Sequence, residues 1–155
     1  MAVSFREEAF ETVRTKLAAG VSQSVVKRRT AAPVPGRNVP RDLFPKLAQR
    51  VVWLVQRDAD YRPGEKPGKQ GVRHYQREHR GECHIFVRAT SEETTATALN
   101  ALSDDVEETL RQIEKDQRED PKWRLELEAF EAGDERLNQG PIGAGLVRFR
   151  IWEYT

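Results

Sequence analysis

The residues with most chemical potential in this chain are His74, His79, Cys83 and His84, four metal-ligating or nucleophilic side chains within eleven positions. Structural zinc sites bring paired ligands together from a tight knuckle, and this spacing does not resemble one. Cys83 and His84 are neighbours in a segment that alternates like a strand, so they point to opposite faces. The same alternation separates them as a nucleophile and its base, which must reach one reacting atom. The expectation is polar loop histidines beside a buried thiol, with no metal and no cofactor. Paired carboxylates stand at Glu92 and Glu93, Asp104 and Asp105, and Glu107 and Glu108. All fall at the start or on the polar side of a predicted helix, where a solvated face accounts for them better than raised-pKa acids do. The run Gly140, Pro141, Ile142, Gly143, Ala144, Gly145 has the glycine content of a phosphate loop but leads into a predicted strand, so no helix N-terminus is expected there to hold an anion. With no Ser/His/Asp order and no P-loop, the sequence does not read as an enzyme.

What remains is a basic segment. From Arg57 to Arg80 seven Lys/Arg stand against Asp58, Asp60, Glu65 and Glu78, interleaved with Tyr61, His74 and Tyr75. That composition suits phosphate contacts with some stacking, or an arm that orders against a neighbouring subunit. With Pro63, Gly64, Pro67, Gly68 and Gly71 and almost no aliphatic residues, it predicts a long exposed loop or hairpin at about residues 58–81.

The positioning elements follow from periodicity. Ser4 followed by Glu7 predicts a capping box opening a helix over residues 4–19, with Gly20 as its stop. Phe5, Ala9, Phe10, Val13 and Leu17 fall within about 140° of one another on that helix and form its packing face. Residues 21–30 predict a short strand ending in Lys27, Arg28 and Arg29, and the prolines at 33, 35, 40 and 45 make residues 31–45 an extended connection. Residues 47–57 predict a strand buried on both sides, with Val51, Trp53 and Val55 on one face and Val52 and Leu54 on the other. Residues 82–89 alternate, Cys83, Ile85, Val87 and Ala89 against His84, Phe86 and Arg88, and pair antiparallel with it. A second helix runs from Ser91 to about Gln117, its Leu99, Leu102, Val106, Leu110 and Ile113 lying within about 80° as a seam. Glu107 precedes Arg111, and Glu114 precedes Arg118, by four residues on its wet side. After Pro121, Trp123, Leu125, Leu127 and Ala129 alternate with charged residues at the period of a strand, a helix being the alternative. Residues 133–145 predict a loop, and residues 146–154 a strand with Val147, Phe149 and Ile151 on one side. The sum is an α+β fold, a mostly antiparallel β-sheet of four to five strands with two main helices packed on one face.

The chain has 155 residues, enough for a single domain, 1–155. Hydrophobic residues make up 37% against 33% charged, a lean core that leaves part of the stability to partners. The longest apolar run, Val51 to Val55, excludes a helical membrane span. The opening MAVSFREEAF is acidic and lacks an apolar stretch, so no secretory signal is expected, and the single cysteine fits a reducing compartment. Net charge is +1, yet residues 1–90 hold 18 Lys/Arg against 9 Asp/Glu and residues 91–155 hold 8 against 16. Such asymmetry marks a nucleic-acid surface or two faces that attract head to tail, and signals nothing if the two segments interleave and pair internally.

In order, FREEAFETVRTKLAAG, the proline-broken connection, KLAQRVVWLVQR, the long charged segment, CHIFVRATSEETTATALNALSDDVEETLRQIEKD and the closing GLVRFRIWEY resemble the tail terminator proteins of long-tailed phages, the group that includes the lambda minor tail protein U. The resemblance covers nearly the whole chain as a pattern of elements, without a diagnostic residue. It implies a structural virion protein: a subunit of a homo-hexameric ring that caps the major tail tube protein, receives the head-completion or connector protein, and works by surface complementarity. Localisation would be the head-proximal end of the virion tail, with assembly in the host cytoplasm. Arg62, Lys66, Lys69, Arg73, Arg77 and Arg80 are then candidates for a channel-facing or subunit-interface segment with transient DNA contact. Asp104, Asp105, Glu107 and Glu108 are candidates for the acidic face that meets it. The generous length of residues 58–81 leaves a neck or head-completion protein open, and a stand-alone nucleic-acid-binding module is the reading from another class.

Overall fold

The apolar run Val51–Val55 lies at the centre of the architecture, and all five of its side chains, Trp53 and Leu54 included, are at most 2% exposed. Burial of such side chains is worth about 1.5–3 kcal/mol each, so this short stretch anchors both sides of a sheet. The computed structural model describes residues 4–21, 24–33, 50–67, 73–89, 91–118, 122–132 and 142–154. Within them the order is α1 (Phe5–Gly20), β1 (Ser24–Arg29), β2 (Arg50–Pro67), β3 (Arg73–Arg88), α2 (Glu92–Asp116), β4 (Trp123–Ala132) and β5 (Ile142–Tyr154). The strands form one sheet in the order β1-β2-β3-β5-β4. β1 runs parallel to β2, and every other neighbouring pair is antiparallel. The α+β class, the five strands and the two main helices are as the sequence predicts. Most of the proline-rich connection, and residues 133–141 of the predicted loop, lie outside the described residues.

Alternation distributes the core to both faces. Val52, Leu54, Cys83, Ile85, Val87, Val147, Phe149 and Ile151 pack with both helices in the main core. Val51, Trp53, Val55, Phe86 and Ala144 form a second buried cluster on the other face, where Trp53 and Phe86 meet edge to face with centroids 5.5 Å apart. α1 contributes Ala9, Phe10, Val13 and Leu17, and the α2 seam contributes Leu102, Val106, Leu110 and Ile113, with Leu99 partly buried.

The helix ends refine the sequence reading. Ser4 Oγ accepts from Glu7 N at 3.2 Å, while the Glu7 carboxylate pairs with Arg28 on β1. On α2, Ser91 and Thr94 complete a reciprocal capping box. Gly20 is the last residue of α1 rather than a stop beyond it, and the cap falls on extended Val21. Glycine is needed there for contact: a Cβ on Gly20 would lie 2.5 Å from Thr109 Oγ1 of α2.

Two further expectations are corrected. Ala129 is exposed, because a bulge between Leu127 and Ala129 inserts Glu128 and reverses the alternation that buries Trp123 and Leu125. Residues 142–145, read as loop from their glycines, are strand. A Cβ on Gly143 would sit 2.9 Å from Thr95 in the first turn of α2, and one on Gly145 the same distance from the Phe130 ring. These glycines let a helix and an aromatic ring close on the sheet rather than form a turn.

Candidate functional site

The basic segment is a β-hairpin in backbone. β2 and β3 pair from Ala59↔His79 through Tyr61↔Arg77 and Arg62↔Gln76 to Pro67↔Arg73. Neighbouring strands stop short of its end: β1 ends at Arg29↔Val55, and β5 reaches only Gln76↔Tyr154. Beyond those points the hairpin is two-stranded among the described residues. Arg62 and Lys66 lie on its β2 arm, Arg73, Arg77 and Arg80 on its β3 arm, and Lys69 lies outside the described residues.

Arg77 and Arg80 are three residues apart in a strand and therefore face opposite sides of the sheet. Arg77 lies on the helix side with His79 and Cys83, its Nη1 3.8 Å from Glu153 Oε2. Arg80 lies on the other side, its Nε 3.5 Å from Glu78 Oε1. Arg77 and Arg80 are thus split between two faces.

The face away from the helices carries two ionic clusters, one around Glu78 and one around Glu82. Glu78, 1% exposed, lies between Arg80 and Arg150, the latter 3.3 Å away, and Arg150 also pairs with Glu128. Glu82 receives Arg57 at 3.4 Å, Arg148 at 3.3 Å and His84 Nε2 at 3.3 Å. The hydrogen bond to His84 does most to hold the Glu82 carboxyl below its usual range, against a partial opposition from burial. Trp152 Nε1 donates to Glu126 at 3.0 Å. The oppositely charged halves of the chain therefore do interleave at several points, Arg50–Asp105 at 3.5 Å and Arg77–Glu153 among them.

On α2 the acidic candidates divide. Asp105 is tied to Arg50, and Glu107 to Arg111 at 3.5 Å, the latter pair at the predicted spacing of four. Asp104 and Glu108 stay exposed. Asp105 and Glu108 also line a groove of about 410 Å³ where α2 passes Lys16 and Gly20 of α1.

His79 sits differently from the loop setting predicted for it, whereas Cys83 is the buried strand thiol that the sequence predicts. His79 and His84 are in β3, at 1% and 9% exposure. His79 Nε2 is 3.0 Å from Glu153 Oε2, the Phe5 ring is 5.6 Å away, and its Nδ1 is buried with no hydrogen-bond partner among the described residues. Burial lowers its pKa, the Glu153 hydrogen bond opposing the shift. Cys83 is fully buried in the main core, and burial pushes its thiol well above the ordinary range, removing the thiolate needed for attack or metal binding. Among the described residues no three His, Cys, Asp or Glu side chains converge as metal ligands.

Local reading of the sequence missed a set of residues that spans more than fifty positions. Arg6 on α1, Arg28 and Arg29 at the end of β1, and Arg57 on β2 are among the residues lining one hollow of about 480 Å³. Only the run Lys27, Arg28 and Arg29, closing the predicted strand, hinted at a cationic strand end. No helix among the described residues is long and apolar enough to cross a membrane. Searches against protein-family models and curated proteins find no match for this chain.

Proposed function

We propose that this chain is a structural assembly subunit, a tail terminator that closes into a homo-hexameric ring over the tail tube and presents its other face to the head connector. The observation that carries the reading is the β2–β3 hairpin, which outruns β1 and β5 and so extends the sheet into a two-stranded arm bearing Arg62, Lys66 and Arg73. The same subunit offers exposed Asp104 and Glu108 on α2. A basic arm and an acidic helix on one molecule are different surfaces, so their contact is heterologous; repeated, it either closes a ring or propagates a filament. Charge complementarity would fix register and speed encounter more than it adds affinity.

Light scattering coupled to size exclusion, at low and moderate salt and with and without tube protein, tests this directly. A discrete hexamer, alone or on addition of tube protein, is expected. Arg62→Glu with Arg73→Glu should abolish it while leaving the melting temperature of the subunit in place. Mixing that variant with Asp104→Lys/Glu108→Lys subunits should restore mixed assemblies. A chain that stays monomeric with tube protein, and shifts only with duplex DNA in a salt-sensitive manner, would instead mark a nucleic-acid-binding module.

A further inference from the structure

The sheet order β1-β2-β3-β5-β4 makes β1 and β4 its outer strands. Along Val25–Arg29 and Leu125–Glu131 each has a single neighbouring strand among the described residues, β2 for the first and β5 for the second. β1 is parallel to β2, and three antiparallel steps then carry the sheet to β4, so β4 runs opposite to β1. Two copies set side by side, with their helices on the same face, therefore bring β4 of one against β1 of the next as an antiparallel pair, the more stable kind of ladder.

The side chains at the two edges match face by face. Lys27 and Arg29 stand beside Trp53 and Val55, which belong to the cluster away from the helices, and Arg29 lies over the Trp53 ring at 4.8 Å. Neither takes part in a described ion pair, whereas Arg28, on the helix face, is held by Glu7 and Glu11. At the other edge Glu126, Glu128 and Glu131 of β4 lie on the face away from the helices, tied to Trp152, Arg150 and Arg148 of β5. Those two arginines also serve carboxylates of β3, Arg150 reaching Glu78 and Arg148 reaching Glu82. With Arg80 and Arg124 the exceptions, the charges thus form rows of alternating sign across β3, β5 and β4. The row that continues this pattern beyond β4 is cationic, and β1 carries one. On the helix face the β4 edge holds Phe130, the large apolar side chain left 40% exposed, and the β1 edge holds partly buried Val26.

We propose that the β4 edge of one copy of this chain pairs with the β1 edge of the next, extending the sheet from subunit to subunit. Opposite charges facing each other across neighbouring strands stabilise the pair, and like charges destabilise it. The cations of β1 oppose β1–β1 pairing and the carboxylates of β4 oppose β4–β4 pairing, so the charges that guard each edge against stray strands select the unlike one. The contact is heterologous and repeats in one direction. The inference rests on the reading of the chain as a self-assembling subunit and adds a contact to that of the arm with the acidic helix. It is separable from that contact, because Lys27 and Glu131 belong to neither the arm nor α2.

The test is hydrogen exchange, with light scattering alongside, on the full-length chain over a concentration series, with and without tube protein. Assembly is expected to slow amide exchange in both Val25–Arg29 and Leu125–Glu131 relative to the monomer, a measurement on the parent chain that requires no variant to fold. Lys27→Glu and Glu131→Lys, each melting like the parent, should each raise the concentration of half-assembly about tenfold. An equimolar mixture of the two should restore the parent value, because every junction of an alternating assembly then meets opposite charges. An assembly that protects the arm and α2 but neither edge strand, or that is indifferent to both substitutions, overturns the edge contact and leaves the ring reading standing. A chain that stays monomeric throughout, tube protein included, overturns both.

Discussion

Replacing Gly81 with alanine puts the packing of the main core to a sharp test. Gly81 lies in β3 between Gln56 of β2 and Phe149 of β5. A Cβ there would stand 2.3, 2.6 and 2.8 Å from Cζ, Cε2 and Cε1 of Phe149. That ring is 1% exposed and backed by Phe10, with centroids 6.0 Å apart, so displacing it disturbs the main core. Backbone entropy alone favours alanine in a strand by about 0.5–1 kcal/mol. Overpacking a core typically costs about 1–3 kcal/mol and should win here. The expected net loss, up to about 2.5 kcal/mol, corresponds to a melting temperature lower by as much as roughly 10 °C in a domain of this size. Urea denaturation should show a lower midpoint with an unchanged slope. The decisive arm is the double-mutant cycle. Phe149→Ala alone should cost about 3–5 kcal/mol, and in that background Gly81→Ala should turn neutral or stabilising, a coupling that equals or exceeds the loss seen in the parent. A Gly81→Ala protein that melts at or above the parent, or that loses as much without the Phe149 ring as with it, would refute the argument.

Leu102, 0% exposed in the α2 seam, should tolerate Asp poorly: a loss on the order of 3 kcal/mol or more, read as a large drop in melting temperature. Cys83 should resist iodoacetamide in the native chain at pH 8 and react at once in denaturant, so its labelling rate reports global opening; rapid native labelling would contradict its burial. His79 should impose a pH dependence. Burial lowers its folded pKa below the ordinary 6.5, despite Glu153 and with Arg6 and Arg77 adding to the shift, so between those values the unfolded chain binds more protons. Stability should therefore fall as pH drops below 6.5, before the carboxylates titrate, and His79→Asn should flatten stability just below pH 6.5; an unchanged slope would remove His79 as the cause.

Where periodicity is decided by burial, the sequence was legible. The two-sided strand at Val51–Val55, the Cys83–Val87 alternation and the α2 seam each follow from which neighbours are apolar, and each is found in place. Misreadings arise where one residue answers to a distant partner. Gly20, Gly143 and Gly145 carry turn propensity, but Thr109, Thr95 and Phe130 decide their use, and none of these is near in sequence. Glu128 breaks the β4 period through a bulge that only the register with β5 reveals. His79 looked like a loop residue because the basic segment around it has few aliphatics, yet hairpin pairing carries it into the sheet. The arginine-lined hollow was hidden for a related reason: the parallel β1/β2 pairing beside it is a long-range contact with no local signature.

The strand order also bears on how the chain acquires its fold during synthesis. β5 follows β4 in the chain yet lies between β3 and β4 in the sheet. The β2–β3 hairpin joins segments near in sequence and is able to form while the nascent chain is still short. Its β3 edge then has no neighbour until Ile142–Tyr154 leaves the ribosome. β4 waits as well, because its ladder is made with β5 alone. For that interval the growing chain displays an open apolar edge, a template for pairing with other chains. Ribosome stalling between β4 and β5 should therefore yield chains that aggregate or recruit chaperones, whereas release beyond Tyr154 closes the sheet in one step.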